Sequence, residues 1–191
     1  GDEAGIAARL AELDAGGGFD ALAELRARGE IGAIGAGINH VGMIPRFLER
    51  FDMDFFLVAM PYTLLDQPAL DAELPLCVER GVAVVIGAVF ASGILAQPVA
   101  THAQYGYKPA EAEVRDRVAR MDAVCRHHGV PIGAVALQFP LGHPAVVSVI
   151  PGADSPEQVR TNLQWMRIPI PPALWAALKA EGLIRADAPT P

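Results

Sequence analysis

The chain has 191 residues, of which 52% are hydrophobic, so it is long enough to bury one substantial core. Its formal net charge of −7 argues against binding nucleic acid or an anionic membrane surface. Its two cysteines, Cys77 and Cys125, fit neither a disulfide framework nor a zinc-ligand spacing, so we expect neither a disulfide nor a metal site.

The most membrane-like run, residues 81–96, is too short and too rich in glycine for a membrane span. It has 16 residues with three glycines, whereas a span requires roughly 20 apolar residues. The opening residues "GDEAGIAARL" lack the basic segment of a secretory signal. We therefore expect a soluble cytoplasmic protein with no membrane partner.

The first half of the chain alternates between helical patterns and short apolar runs. Gly29 and Gly81 each follow a helical pattern, at the position where glycine commonly ends a helix. The predicted elements are, in order, helices over 2–18 and 19–30, a strand over 31–36, a helix over 42–51 that Pro45 interrupts early, a strand over 54–60, a helix over 68–81 and a strand over 82–88.

The second half begins with a long connection. Residues 93–110 show no periodic pattern and predict an irregular loop, of a length that is usually functional or mobile. After this loop we predict helices over 111–129 and 131–142, a strand over 145–152, and helices over 155–166 and 171–183. No linker interrupts the pattern, which predicts a single domain.

All four predicted strands are short, nearly continuous apolar runs, and each is followed by a helix. Strands that are apolar on both faces are typical of a parallel sheet covered by helices, so the fold class is α/β. A doubly wound sheet and a (β/α)8 barrel both satisfy this pattern. Because a complete barrel typically needs about 250 residues, four strand–helix units indicate half a barrel or a small open sheet.

The glycine-rich run "IGAIGAGINHVGMI", residues 31–44, has the outline of a dinucleotide-binding turn. Counted from Gly35, the G-x-G-x-x-G fingerprint needs its third glycine at the position of His40. The next predicted strand ends in Met60 rather than in the acidic residue that the fingerprint requires. A small Rossmann-like domain is therefore the least favoured alternative.

The segment "VIPGADSPEQVRTN", residues 149–162, contains a strong helix start. Ser155 fits the N-cap, Pro156 the first helical position and Gln158 the third, which together form a capping box. A well-made helix start explains these residues and is the favoured interpretation when the segment is taken alone. The alternative is an anion site, because free N–H groups at the start of a helix behind Gly152 would attract a phosphate.

A second candidate anion site follows the strand over 82–88. The small residues of "AVFASGIL", residues 88–95, would let the backbone come close to a phosphate. In (β/α)8 barrels the loops after the last two strands frequently form a phosphate site. Two weak signals in consecutive strand-end loops therefore support each other.

Four segments, in chain order, resemble the second half of the aldo-keto reductase family. The segment "ALAELRARGEIGAIGAGIN" resembles its fifth strand with the preceding helix, "VAMPYTLLDQ" its sixth strand, "GVAVVIGAVFASGIL" its seventh, and "VVSVIPGADSPEQVRTNL" its eighth strand with the following helix. The endings "VFASGILA" and "EGLIRADAPTP" resemble its aldose-oxidising branch, with a pyridoxal-oxidising branch as neighbour. The resemblance implies that residues 1–191 form the C-terminal half, strands five to eight, of a (β/α)8 TIM barrel.

The resemblance also implies a groove for a nicotinamide cofactor. Asn39 would face the nicotinamide carboxamide, Gln158 would lie near the adenosine ribose, and Asn162 would meet the adenine. The residues implied to bind the cofactor are Asn39, Phe90, Ser92, Gly93, Gly152, Ala153, Ser155, Gln158 and Asn162.

Two departures from the family pattern indicate NAD rather than NADP. NADP-preferring relatives commonly hold a lysine at the position of Gly152 and an arginine at that of Gln158, and both cations would pair with the 2′-phosphate. We therefore expect NAD, with NADP as the alternative. Gly87 and Ala59 stand where relatives place a stacking aromatic residue and a glutamine, so the nicotinamide would be held differently here.

The family's catalytic Asp, Tyr, Lys and His arise from strands two to four, and none can be placed in this sequence. We expect residue 1 to follow the histidine strand directly, so that the chain carries the cofactor-binding half and no catalytic residue. Tyr62, Tyr105 and Tyr107 have no predicted lysine partner, and His40 and His102 are isolated.

The resemblance implies that the whole enzyme oxidises an aldose such as L-fucose or D-arabinose at C1 to a lactone, or reduces an aldehyde. An N-terminal barrel half or a second copy of the chain would complete the barrel. The alternative is a non-catalytic half-barrel that binds a nucleotide or a phosphate, or that associates through its open sheet edges.

Overall fold

The computed structural model describes residues 3–97, 104–106 and 108–191, so His102 and Tyr107 lie outside the described residues. The elements are helices α1 (Glu3–Ala15) and α2 (Gly18–Ala27), strand β1 (Gly35–Ile38), helix α3 (Met43–Leu48), strand β2 (Phe55–Ala59), helix α4 (Glu73–Arg80), strands β3 (Ala83–Gly87), β4 (Gln104–Tyr105) and β5 (Lys108–Pro109), helices α5 (Ala112–His127) and α6 (Ile132–Gln138), strand β6 (Val146–Ile150), and helices α7 (Pro156–Trp165) and α8 (Pro172–Ala180). No helix among the described residues is both long enough and apolar enough to cross a membrane.

Strands β1, β2, β3 and β6 form one parallel sheet in that order. Each connection between consecutive strands of this sheet contains a helix, which brings the carboxyl ends of all four strands to one edge. The register between β3 and β6 shifts between Val84 and Val85. The predicted α/β architecture with a parallel sheet is confirmed.

One face of the sheet is packed and the other is partly open. Along β2, Phe56 and Val58 are fully buried, whereas Phe55 and Leu57, which point to the opposite face, are half-buried. Phe56 packs edge-on against Phe47 of α3, with ring centroids 6.0 Å apart. In the described part of the chain, the face that carries Phe55 is therefore less covered than the face that carries Phe56.

Several of the predicted helices differ from the structure; for example, the one predicted over 131–142 ends at Gln138, and a 3-10 turn over Phe139–Gly142 follows it. Pro45 lies in the first turn of α3 and does not interrupt the helix. N–H groups in the first turn have no carbonyl acceptor within the helix, so the N–H that proline lacks is not needed there. The predicted helix over 68–81 is divided, because a 3-10 turn over Pro68–Leu70 precedes α4.

The predicted irregular loop over 93–110 is wrong where β4 and β5 pair as an antiparallel hairpin. Gln104 pairs with Pro109, and Tyr105 pairs with Lys108. The Tyr105 hydroxyl donates a hydrogen bond to Asp66, which ties the hairpin to the turn that follows β2. Strands of two residues are too short for an alternating pattern to show in the sequence.

Candidate binding cleft

A cleft of about 740 Å³ opens at the carboxyl end of the sheet. Its walls come from residues that follow β2 and β3, from Gln104 of β4, from the connection between β6 and α7, and from one side of α7. The cleft brings together six of the nine residues implied to bind a cofactor. These are Phe90, Ser92, Gly93, Gly152, Gln158 and Asn162.

The other three residues of that set do not line the cleft. Ala153 and Ser155 lie in the connection before α7, between residues that do line it. Asn39 is exposed after β1, and its Oδ1 lies 2.5 Å from Nδ1 of His40. The structure therefore does not bring Asn39 to the cleft, and its role at the nicotinamide stays a prediction.

The chain leaves β2 and β3 in backbone conformations that residues other than glycine rarely adopt. Among the described residues, φ is positive at four such positions: Met60 (82°), Ala88 (54°), Ala91 (47°) and Ser92 (60°). Three of them, Met60, Ala88 and Ser92, line the cleft. Such positions cost on the order of 1–3 kcal/mol each and cluster at ligand sites. The concentration of strain marks this cleft as the candidate functional site.

Ser155 caps α7 as predicted, but the capping box is only half formed. The Ser155 Oγ accepts a hydrogen bond from the N–H of Gln158 at 3.2 Å. The side-chain Oε1 of Gln158 accepts from the N–H of Asp154 at 3.0 Å, rather than from that of Ser155. Within the described residues the N–H groups of Gly152 and Ala153 have no acceptor, so they are available to an anion.

Asn162 stabilises the connection that carries these free N–H groups. Its side chain is buried, and Nδ2 donates to the carbonyl of Gly152 at 3.4 Å. A Cβ added at Gly152 would meet no atom of the described residues within 4 Å, so those residues leave room for a Cβ there. Gly93 differs, because its φ of +93° favours glycine whatever the space.

Trp165 also lines the cleft, although it is not among the residues predicted from the sequence. Its ring meets that of Phe90 at 74°, with centroids 5.7 Å apart. The Nε2 of Gln138 donates to the carbonyl of Trp165 at 2.7 Å and to that of Ile168 at 2.9 Å, which holds the end of α7. The signal available in the sequence was helical spacing, since Trp165 lies three residues after Asn162.

The cleft contains one titratable side chain among the described residues, the exposed Asp154. Tyr62 is fully buried beside His143, its hydroxyl has no hydrogen-bond partner among the described residues, and burial raises its pKa. Burial and the hydrogen bond to Asp66 raise the pKa of Tyr105. Neither tyrosine lines the cleft, so neither is placed to exchange a proton there.

The two cysteines are buried and free. Burial raises the pKa of Cys77 to about 11 and that of Cys125 to about 12, so both thiols stay protonated at neutral pH. Across the described ranges, no three His, Cys, Asp or Glu side chains come together as a metal site.

A buried carboxylate holds the start of α3, the helix that follows β1 and Asn39. Glu73 is 1% exposed, and its Oε1 accepts from the N–H groups of Gly42 at 2.8 Å and Ile44 at 3.3 Å. Its Oε2 is buried without a partner in the described structure. Burial raises the pKa of Glu73, against the opposing effect of these hydrogen bonds.

We expect Glu73→Gln to stabilise the fold at neutral pH, by an amount that shrinks as the pH falls toward the ordinary glutamate pKa of 4.5. The pKa of Glu73 is higher in the folded protein than in the unfolded chain, so ionising Glu73 lowers the free energy of unfolding. This loss is complete above the folded pKa, and it disappears below the unfolded pKa, where Glu73 is protonated in both states. Urea unfolding across this pH range measures the difference. Glu79→Gln, at an exposed site on α4, is the control, and a gain from Glu73→Gln that does not change with pH would contradict the explanation.

Comparisons with known proteins agree with the fold and with the resemblance. Residues 14–181 match the aldo/keto reductase family. The chain is 46% identical over 172 residues to pyridoxal 4-dehydrogenase of Microbacterium luteolum, covering 90% of this chain and 50% of that protein. It is 40% identical over 174 residues to D-threo-aldose 1-dehydrogenase of a Pseudomonas species, covering 91% and 52%.

Among solved structures, the holo form of an aldo-keto reductase from Bacillus halodurans superimposes with a TM-score of 0.66 at 24% identity. The match covers 89% of this chain and 56% of that chain, and it shows the fold. The chain spans about half the length of the curated relatives it matches. The family match and the two relatives together establish that the chain belongs to the aldo/keto reductase family.

Proposed function

We propose that the chain supplies the cofactor-binding half of an NAD-dependent dehydrogenase that oxidises an aldose, such as L-fucose or D-arabinose, at C1 to a lactone. The cleft carries this proposal, because it collects six of the nine residues that the family resemblance implies for the cofactor. The similarity to D-threo-aldose 1-dehydrogenase and to pyridoxal 4-dehydrogenase supports oxidation of an aldose or a related aldehyde.

The residues of the cleft fit a dinucleotide. When bound, NAD supplies the acceptor for the substrate's hydride. The free N–H groups of Gly152 and Ala153 would bind its pyrophosphate at the start of α7. Because the Asn162 amide N–H₂ already donates to the Gly152 carbonyl, its Oδ1 remains to accept from the amino group of adenine.

We propose that the acid–base residues come from further strand–helix units that pair with the open sheet edges. At the edge strand β6, Val147 and Ile150 are 63% and 52% exposed. Val159 and Leu163 on α7 and Met166 directly after it follow helical spacing and are all exposed. A further parallel strand and its helix would cover exposed apolar side chains of this kind.

The same exposed apolar side chains favour a second candidate function, a non-catalytic half-barrel that binds a nucleotide or associates with a copy of itself. Exposed parallel edges are a liability that proteins normally cover. In this alternative the chain would fold cooperatively and dimerise through β6 and α7 without gaining any catalytic residue.

The test combines binding with turnover. We expect the 191-residue chain to bind NADH without oxidising any aldose. Fusing it to the complementary part of pyridoxal 4-dehydrogenase should restore NAD reduction with L-fucose, D-arabinose or pyridoxal. Binding without restored turnover would favour the association module, and turnover by the chain alone would contradict the assignment of catalysis to the other half.

A further inference from the structure

We infer that Trp165 is the surface on which the base of a bound nucleotide stacks, an inference that rests on the proposed function. Two aromatic rings line the cleft in the described part of the chain, those of Phe90 and Trp165. Phe90 is buried beneath the surface at 8% exposure, whereas Trp165 is only half-buried. Trp165 therefore offers the aromatic surface that a ligand can reach.

The packing around Trp165 holds its ring in a fixed position. A Cβ at Gly133, in the first turn of α6, would lie 2.4 Å from both Cη2 and Cζ3 of the indole and 2.8 Å from Cε3. Glycine at position 133 thus makes the space that the six-membered ring fills. Phe90 packs against the same ring, and Gln138 binds the backbone carbonyl of Trp165, so the ring and its backbone both have partners before any ligand binds.

The position of Trp165 along α7 matches the layout of a nucleotide. Gln158, Thr161, Asn162 and Trp165 all line the cleft, at the spacing of residues on one side of a helix. This side of α7 begins near the free backbone N–H groups of Gly152 and Ala153, which could bind a phosphate, and ends at the Trp165 indole. Trp165 lies seven positions after Gln158, which corresponds to a rise of about 10 Å along the helix. A phosphate at one end and a planar base at the other is the arrangement of a nucleoside phosphate.

The ligand class that follows is a nucleoside phosphate with an adenine base, as in the adenosine half of NAD. Stacking of a base on an aromatic side chain is a recurrent and sizeable part of nucleotide affinity. Trp165 should therefore contribute to the binding of AMP and NADH and contribute nothing to nicotinamide mononucleotide, which lacks the adenine.

Two variants of Trp165 separate stacking from simple filling of space. Trp165→Leu keeps apolar volume without a π face, whereas Trp165→Phe keeps an aromatic ring. We expect Trp165→Leu to weaken AMP and NADH binding by about tenfold, and Trp165→Phe to weaken it by no more than about threefold. Both variants should bind nicotinamide mononucleotide as the parent chain does.

The experiment titrates the parent chain and both variants with AMP, NADH and nicotinamide mononucleotide in a calorimeter. In the parent chain, AMP should also quench the tryptophan emission of Trp165, while Trp175 is 3% exposed on α8 and out of reach. The inference would be overturned if AMP bound the parent and Trp165→Leu with equal affinity, or if both variants lost equal affinity. If the parent chain still bound NADH in that case, the proposed function would stand. A parent chain that binds neither NADH nor AMP would overturn the proposed function itself.

Discussion

Replacing Gly152 by lysine and Gln158 by arginine in one variant is expected to raise the affinity for NADP, relative to NAD, by at least about a hundredfold. Both cations would reach the 2′-phosphate that distinguishes the two cofactors, and each charge-assisted contact contributes about 1.5–3 kcal/mol. A Cβ at position 152 would meet no described atom within 4 Å, so the lysine substitution causes no clash at its first side-chain atom. Fluorescence titration with NADH and NADPH gives the two dissociation constants.

The control must account for the structural bond that Gln158 makes. Its Oε1 accepts from the N–H of Asp154, and arginine cannot accept there. Gln158→Glu keeps an acceptor and adds a negative charge, so it should leave NADH binding nearly unchanged and weaken NADPH. The gain of the double variant should fall with added salt. An unchanged NADPH-to-NADH ratio, or a parent chain that prefers NADPH, would refute the NAD preference.

Phe56→Ala is expected to lower the free energy of unfolding by about 3–5 kcal/mol, as for other fully buried phenylalanines. Phe56 is 0% exposed on β2, which lies between β1 and β3 in the sheet. The alanine would leave a cavity beside Phe47, whose ring meets that of Phe56 at 65°. Urea unfolding followed by circular dichroism measures the loss.

Phe55→Ala is the matched control, because it makes the same change at the neighbouring position on the opposite face. Phe55 is half-buried, and its ring covers Gly35, where an added Cβ would lie 2.4 Å from the ring. We expect a clearly smaller loss in this chain and a larger one once further strand–helix units cover that face. Equal losses at Phe55 and Phe56 in the chain alone would show that both faces are already packed.

The sequence was sufficient for the parallel sheet and for the start of α7, because both depend on local patterns. Strands such as β3 are continuous apolar runs, which are typical of buried parallel strands. The Ser155 cap depends only on the residue types at positions 155–158. The reach of Gln158 to Asp154 instead of Ser155 depends on the path of the chain before α7, which residue types do not specify.

The parts of the cleft that could not be predicted arise from tertiary structure. The surrounding fold imposes a positive φ on Met60, Ala88 and Ser92. None of these residues is glycine, so the sequence does not indicate this conformation. Trp165 enters the cleft because Gly133, 32 positions earlier in the chain, leaves room for its ring. Asn39 was placed by family resemblance alone, and the described structure leaves it outside the cleft.

The most direct measurement is a titration of the isotope-labelled chain with NAD, followed by the chemical shifts of its backbone amides. If the cleft binds a nicotinamide dinucleotide, the shifts will concentrate at Ser92, Gly93 and Gly152, and along α7 to Trp165. Shifts confined to the other end of the sheet, around Arg50 and Arg80, or the absence of any saturable shift, would contradict the account.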